Sequence, residues 1–151
     1  MNKIIIIIGL LLVVIAAVVY YQFSMNKQMQ TDNEITINDH AFFVETVSDP
    51  QAQQIGLTKY NSIKEDQGML FIFEQPGDYG FWMKNMQFPI DILFINNDTI
   101  VTIVSNAEPA AADAENPTIY HADAPIDKVL EITAGLAEKY ELKRGDKIQL
   151  K

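Results

Sequence analysis

The sequence has 151 residues and no cysteine, and its 20 acidic residues outnumber its 11 basic residues, giving a formal net charge of −9. The lack of cysteine excludes disulfides, thiolate metal sites and a cysteine nucleophile. The acidic balance excludes a basic nucleic-acid binder, because such proteins need clustered Lys and Arg to displace counterions from phosphates.

The N-terminal segment is predicted to cross a membrane. Residues 4–21 carry no charge, and Gly9 is the one residue in this run outside the hydrophobic class. A helix of this length spans about 27 Å, close to the hydrocarbon thickness of a bilayer. We therefore predict a transmembrane helix or signal anchor over residues 4–23. Aromatic residues at its end, such as Tyr20 and Phe23, favour a membrane interface over a cleavage site; secretion after signal cleavage is the alternative.

The charges around this segment predict its orientation. Lys3 and the α-amino group precede the span, and the positive-inside rule then places residues 1–3 in the cytoplasm. Residues 24–33 are polar and lack periodicity, which predicts a flexible tether. Residues 34–151 follow as a domain on the outer side of the membrane, periplasmic or extracellular.

The outer domain has the short apolar runs, separated by turn residues, that are typical of strands. Strands are predicted at 34–38, 41–47, 69–73, 79–83, 91–95, 99–104, 129–132 and in a last run ending at residue 150. This pattern predicts a mainly β fold: a single compact β-sandwich or partly closed β-barrel with one or two short helices.

Capping and turn residues predict the short helices and one hairpin. Asp49 followed by Pro50 is typical of a helix start, and the helix is expected to run towards Leu57. Thr133 is expected to cap a second short helix. Residues 96–98, Asn-Asn-Asp, predict a tight hairpin turn.

Residues 81–91 contain the densest group of side chains suited to binding a ligand. Trp82, the one tryptophan of the sequence, is followed by Lys84 and Asn85. A cation and an amide beside large apolar side chains are typical of a pocket in which polar groups orient a ligand. The structural alternative is equally simple: Trp82 is core, Lys84 lays its stem along apolar surface, and Asn85 completes a turn.

Two carboxylates lie inside apolar strands. Asp91 precedes Ile92, and Glu131 lies between Leu130 and Ile132. Such a carboxylate either points outward or is buried and paired, so an ion pair of Lys84 with Asp91 or Glu131 is expected. Asp91 and Glu131 are also candidate catalytic residues, because two carboxylates facing one cleft divide acid and base roles. The sequence leaves open whether the protein is an enzyme.

No metal site or cofactor is predicted. His40 and His121 are the two histidines of the sequence, and they lack the spacing of metal ligands. Nucleophile elbows and phosphate-binding glycine loops are also missing from the sequence.

Several motifs in order resemble the bacterial and archaeal "domain of unknown function 192" family. They are Gly56-Leu57, 68–73, 81–85, 88–95, 107–109, 129–131, Ala134-Gly135 and Gly145-Asp146. The resemblance covers residues 36–150 and implies a leader or membrane anchor followed by one mostly β barrel or sandwich. It implies no activity. The chain departs from the family pattern at Thr58, Lys59 and Met86, where the family often has Met, Arg and Thr.

These observations favour a membrane-anchored extracytoplasmic domain that binds a small ligand or an envelope carbohydrate. Five residues are the candidate ligand contacts: Trp82, Lys84, Asn85, Asp91 and Glu131. Two alternatives stay open. One is an envelope hydrolase or lyase that uses the paired carboxylates, and the other is a protein-interaction module at the membrane. The expected partners are the membrane, through residues 4–23, and a small molecule or carbohydrate, without nucleic acid; a protein partner is not specified by the sequence.

Overall fold

The computed structural model describes residues 2–25, 28–111 and 113–151, and within the first range it describes the side chains of residues 7–20. These residues form three α-helices, a 3₁₀ turn at Gly56–Lys59 and nine strands. The helices are α1 (Asn2–Met25), α2 (Pro50–Ile55) and α3 (Leu136–Lys139). The strands are β1 (Asn33–Ile37), β2 (His40–Val47), β3 (Gln67–Gly77), β4 (Phe81–Trp82), β5 (Ile90–Asn96), β6 (Thr99–Ala107), β7 (Ile119–Tyr120), β8 (Ile126–Thr133) and β9 (Ile148–Leu150).

Seven strands form one sheet in the order β6-β5-β8-β3-β2-β1-β9, and β4 pairs with β7 in a separate ribbon. Strands β2 and β3 are parallel, and α2 with the 3₁₀ turn lies in the connection between them. All other pairs are antiparallel. The chain is therefore mainly β with few short helices, as predicted.

The seven-stranded sheet curls into a half-barrel. Its two edge strands approach each other: Thr99 of β6 forms an isolated bridge with Lys147, and the amide of Ile148 donates to the carbonyl of Asp98 at 2.9 Å. The amide of Ile100 donates to Asp146 at 3.0 Å. Of the two predicted architectures, the partly closed barrel is the one that fits this curl.

Alternation along the strands gives the sheet two apolar faces, each with its own core cluster. We call one the α3 face, because Leu136 and Ala137 of α3 pack there with side chains such as Leu70, Leu93 and Leu130. The other is the pocket face, which carries Met69, Phe71, Ile92 and Val129. The 3₁₀ turn and the β4 segment cover the pocket face, through Leu57 and Phe81 among others.

Part of the predicted tether packs on the domain. Met29 is buried in the core cluster of the pocket face. The amide of Asp32 donates to Val44 at 3.0 Å, and its carboxylate accepts from the amide of Thr46 at 3.0 Å. Residues 29 and 32 therefore belong to the folded domain, in contrast to the prediction of a flexible tether over residues 24–33.

In helix α1, every side chain from residue 7 to residue 20 is exposed. Over the stretches that the structure describes, no helix combines the length and the apolar character that crossing a membrane requires. The membrane span over residues 4–23 stays a prediction.

Two of the three local predictions hold in detail. The Asp49 carboxylate accepts from the amides of Gln51 and Ala52 at 3.0 Å, and Pro50 begins α2. A turn at Asn97, with φ +51°, joins β5 to β6. The predicted cap of the later helix is wrong, because Gly135 occupies the cap position and the Thr133 hydroxyl donates to the carbonyl of Lys64.

Candidate functional site: an aromatic pocket over Glu131

A cavity of about 290 Å³ lies on the pocket face of the sheet. One wall is formed by α2 and the 3₁₀ turn, and the opposite wall by residues 79–86. Its floor is the sheet itself, where the cavity is lined by Phe71 and Phe73 of β3 and by Glu131 of β8. The volume is near the lower limit for small-molecule sites, which fits a small ligand or one end of a larger one.

Gly56 sets the position of the first wall. The helix α2 ends at this glycine, whose φ of +51° and ψ of −142° belong to a region that side-chain-bearing residues avoid. A Cβ built at Gly56 would lie 3.5 Å from the ring of Phe71, which shows how closely the backbone passes over the sheet. The sharp bend directs the 3₁₀ turn across the sheet and leaves the cavity between this turn and β4.

Aromatic rings hold the second wall in place. Phe73 and Tyr79 stack with ring centroids 3.7 Å apart, and the Tyr79 hydroxyl donates to the carbonyl of Gln75 at 2.8 Å. Phe71 and Phe81 meet edge to face at 5.0 Å. Such pairs contribute beyond their area burial, so they stabilise this arrangement of the rings.

Glu131 is the polar group at the base of the pocket. It is 6% exposed, and among the described residues no hydrogen bond or ion pair reaches its carboxylate. Burial raises the pKa of Glu131 to about 8. At neutral pH the carboxyl is therefore mainly protonated, and in this form it both donates and accepts hydrogen bonds.

The same sheet face carries a second acid, partly buried, whose carboxylate has hydrogen-bond partners. Glu45 of β2 pairs with Met69, which pairs in turn with Glu131, so the three side chains form one row across the sheet. Glu45 accepts from Lys59 Nζ at 2.5 Å and from the Tyr60 hydroxyl. Burial, together with hydrogen bonding to Glu45, raises the pKa of Tyr60. Glu131 differs from Glu45 because its partners are missing among the described residues.

Trp82 and Lys84, two of the residues predicted to contact a ligand, lie at the opening of the pocket. Both line the cavity and both are exposed, Trp82 to 52%. Within the described part of the chain, Lys84 has no ion pair and no hydrogen bond through its side chain. The expected ion pair between Lys84 and either carboxylate is therefore not formed, although Lys84 and Glu131 share the same pocket.

Asn85 follows the structural alternative. It occupies a turn with φ +63°, a conformation in which Asn is enriched, and its carbonyl accepts from the Gln87 side chain at 3.1 Å. Asn85 is exposed and does not line the pocket. The structure therefore brings Trp82, Lys84 and Glu131 together and leaves Asn85 outside.

Asp91 is also outside the pocket, on the α3 face. It is fully buried, and its carboxylate accepts from the backbone amides of Ala137 at 2.7 Å, Asn106 at 2.7 Å and Gly135 at 3.1 Å. Because Ile92 pairs with Glu131 while Asp91 pairs with Ile132, the two carboxylates project from opposite faces of the sheet. The expected cleft shared by Asp91 and Glu131 does not exist in this arrangement, and Asp91 instead binds α3 to the sheet.

Sequence reasoning missed most of the aromatic lining. Phe71, Phe73 and Tyr79 were predicted as strand residues without a role, since nothing in an apolar run shows which ring faces a cavity. The sequence did contain one signal for the shape of the site. Gly56 lies at the end of a predicted helix, where a glycine allows the backbone to turn sharply. Across the described ranges, no group of three or more metal-ligating side chains converges.

Comparisons with known proteins place the domain among uncharacterised relatives. The sequence model of the DUF192 family, described as "Uncharacterized ACR", matches residues 33–150. A solved structure of a protein of unknown function from Novosphingobium aromaticivorans is 31% identical, with a TM-score of 0.70 over 77% of this chain and 83% of that chain. A Sinorhizobium meliloti structure, described as a candidate transcription regulator, is 31% identical, with a TM-score of 0.71 over 82% of this chain and 97% of that one. No curated protein matches the chain.

Proposed function

The chain belongs to the DUF192 family of uncharacterised proteins, and we propose that it binds a small molecule in the pocket above Glu131. The observation that supports this most is the Glu131 carboxyl, buried at the base of the cavity without a partner among the described residues. The Glu131 oxygens are not among the side-chain atoms that are fully enclosed without a partner, and the residue lines the cavity. A ligand in the cavity is therefore able to hydrogen-bond to this carboxyl.

The rim of the pocket supports the same proposal. Trp82 offers an exposed ring for stacking, and Lys84 offers an unpaired ammonium group at the opening. A ring face combined with polar groups suits a sugar as well as other small polar molecules, so an envelope carbohydrate stays among the proposed ligands.

Location is part of the proposal. We place residues 4–23 in a membrane and the domain on its outer side, either periplasmic or extracellular. The exposed apolar side chains of α1 from residue 7 to residue 20 support an apolar surrounding for this helix. Extraction of the full-length protein from membranes by detergent, but not by alkaline carbonate, is the expected result; release by carbonate would contradict the anchor.

The hydrolase or lyase alternative loses its main support. A paired-carboxylate mechanism needs two carboxyls on either side of one bond, and Asp91 is committed to α3 on the other face of the sheet. The regulator description of the Sinorhizobium relative is not transferred either, because DNA binding needs a basic surface and this chain carries a net charge of −9.

A protein-interaction module stays as the second candidate. Trp82 and Ile119 are register partners in the β4–β7 ribbon and are 52% and 51% exposed. Ile55, 44% exposed, lies on the pocket wall. Exposed apolar side chains of this size are typical of contact surfaces, and a ligand with an apolar portion would cover the same residues.

The proposal is tested by a ligand screen on the full-length protein in a maltoside detergent, read by thermal shift and by the NMR signal of the Trp82 indole. A ligand that binds the native state raises the melting temperature by mass action. We expect hits that move the indole signal and lose their effect in Glu131→Gln. The exposed carboxylate Glu74 provides the control Glu74→Gln. Hits that are equally strong in Glu131→Gln, or a silent library of sugars and metabolites, would contradict the proposal.

A further inference from the structure

The charges that line the pocket differ between its base and its opening. Glu131 is buried at the base, and Lys84 is exposed at the opening. These two residues are the acid and the base that line the cavity, and among the described residues neither has an ion-pair partner. An acid and a base that share a pocket without pairing with each other leave room for a ligand that pairs with both.

The walls between these two charges are aromatic. Phe71, Phe73, Tyr79, Phe81 and Trp82 line the cavity. Ring faces attract cations, and the attraction is stronger when water is excluded. Aromatic walls around a carboxyl are the combination that recognises an organic ammonium group, because the rings contact its carbon atoms while the carboxylate neutralises its charge.

We infer that the pocket binds a small zwitterion, with its ammonium group at Glu131 between the aromatic rings and its anionic group at Lys84. The inference rests on the proposed function and specifies the ligand class for that site. Phosphocholine and phosphoethanolamine, free or as the headgroup of a lipid, have this arrangement of charges. Exposed apolar side chains are available for the lipid chains of such a headgroup: Ile55 and Trp82 line the pocket, and Ile119 is the register partner of Trp82.

Binding of the ammonium group is coupled to a proton. In the empty pocket Glu131 holds its proton, since burial raises its pKa to about 8. Ammonium binding leaves the Glu131 carboxylate ionised, and the proton passes to water; no covalent bond forms or breaks. The other titratable groups on this face are Lys84 and Tyr79 in the pocket, Tyr120 of β7, the Asp78–His121 pair beside Gly80, and the Glu45–Lys59–Tyr60 cluster two strands away. Choline itself does not titrate, so its pH dependence reports on the protein.

The test compares choline, phosphocholine and dimethylbutanol, the neutral carbon isostere of choline, by isothermal titration with the full-length protein in dodecyl maltoside. We expect choline to bind and the isostere to bind at least about tenfold more weakly, because the isostere lacks the positive charge that the rings and the Glu131 carboxylate attract. Choline affinity should fall about a hundredfold from about pH 9 to about pH 6, because the Glu131 proton must be released. In Glu131→Gln both the affinity and this pH dependence should be lost.

Lys84 is tested with the same ligands. Lys84→Met should weaken phosphocholine about threefold, the size of an exposed ion pair, and leave choline unchanged. Lys64 is an exposed lysine outside the pocket, and Lys64→Met should change neither ligand. Equal losses for choline and phosphocholine in Lys84→Met would contradict the placement of the anionic group.

The source of the zwitterion is distinguished by dihexanoyl phosphatidylcholine, a soluble short-chain lipid. Tighter binding of this lipid than of phosphocholine supports a membrane headgroup as the ligand, and equal binding supports a free zwitterion. Binding of the isostere as tight as that of choline, or no binding by any ammonium compound, overturns the inference. In either case the proposed function still stands if neutral compounds from the wider screen bind above Glu131.

Discussion

Glu131 and Glu45 lie in one row on the same face of the sheet, yet their surroundings differ. Glu45 is neutralised by Lys59 and receives a second hydrogen bond from Tyr60, so it serves the fold. Glu131 has burial without compensation. This contrast between two acids on one face supports the proposal that Glu131 binds a ligand.

The raised pKa of Glu131 predicts a specific pH dependence of stability. The folded protein keeps the Glu131 proton up to about pH 8, while the unfolded chain releases it near the ordinary pKa of 4.5. The free energy of unfolding should therefore fall by about 1.4 kcal/mol per pH unit between these values. Urea denaturation of the ligand-free protein, compared with Glu131→Gln, isolates this contribution. Parallel curves for the two proteins over this range would contradict it.

Asp91 is the buried carboxylate with a structural role. Its three backbone hydrogen bonds fix α3 and the end of β6 to the sheet. Asp91→Asn replaces one acceptor oxygen by a donor that faces a backbone amide, so we expect a loss of about 2–4 kcal/mol in the free energy of unfolding. Chemical denaturation measures this, with Asp98→Asn in the exposed hairpin turn as the control. A loss below that of the control would show that Asp91 does not bind α3.

At the scale of elements, the connection between β2 and β3 creates the site. This connection joins parallel strands, so it has to cross the sheet, and α2 with the 3₁₀ turn makes the crossing. Gly56 allows the sharp bend that ends α2. The cavity lies between this crossing and the β4 segment, so its existence depends on the backbone path more than on any single lining residue.

Replacing Gly56 should therefore change both the stability of the domain and its affinity for ligands. Gly56→Ala forces a side chain into a region that glycine alone occupies and brings its Cβ 3.5 Å from the ring of Phe71. We expect it to lower the free energy of unfolding by about 1–3 kcal/mol and to weaken pocket ligands. Gly135→Ala is the matched control: its φ is +83° but nothing lies within 4 Å of a Cβ there. Thermal unfolding and ligand titration are measured for both variants. Equal ligand affinity in Gly56→Ala and Gly135→Ala would contradict the role of Gly56 in shaping the pocket.

Most elements could be predicted from the sequence, because strand alternation and turn residues are local signals. The helix start at Asp49 and the hairpin at Asn97 follow from single residues. The roles of Asp91 and Glu131 could not be separated in this way. Both are acids within apolar strands, and only the pairing register between β5 and β8 assigns them to opposite faces. The hydrogen bonds at the start of α3 were not predicted for the same reason. The amides of Gly135 and Ala137 donate to Asp91, which lies far away in the sequence, on β5.

For the whole molecule, the proposed membrane anchor is followed closely in the chain by a residue of the core beneath the pocket face. Met29 is buried in the core of the pocket face, four positions after Met25, the last residue of α1. With the proposed anchor at residues 4–23, only residues 24–28 would separate the membrane from Met29.

Met29 links the N-terminal segment to the stability of the domain. A fragment that begins at residue 28 should keep the free energy of unfolding of the parent domain. A fragment that begins at residue 31 loses Met29 and exposes its core contacts, so we expect a decrease of about 1–3 kcal/mol. Urea denaturation of the two fragments measures the difference. Equal stabilities would show that Met29 does not contribute to the core.

The protonation state of the Glu131 carboxyl decides whether the pocket binds ligands as proposed, and carbon NMR of the labelled Glu131 side chain observes it directly. A pH titration of the ligand-free protein should give a pKa of about 8, because the pocket buries the carboxyl without pairing it. Addition of an ammonium ligand should lower that pKa, since a cation favours the ionised form. A pKa near the ordinary value of 4.5 in the empty protein, unchanged by any ligand, would contradict the assignment of Glu131 as the binding group.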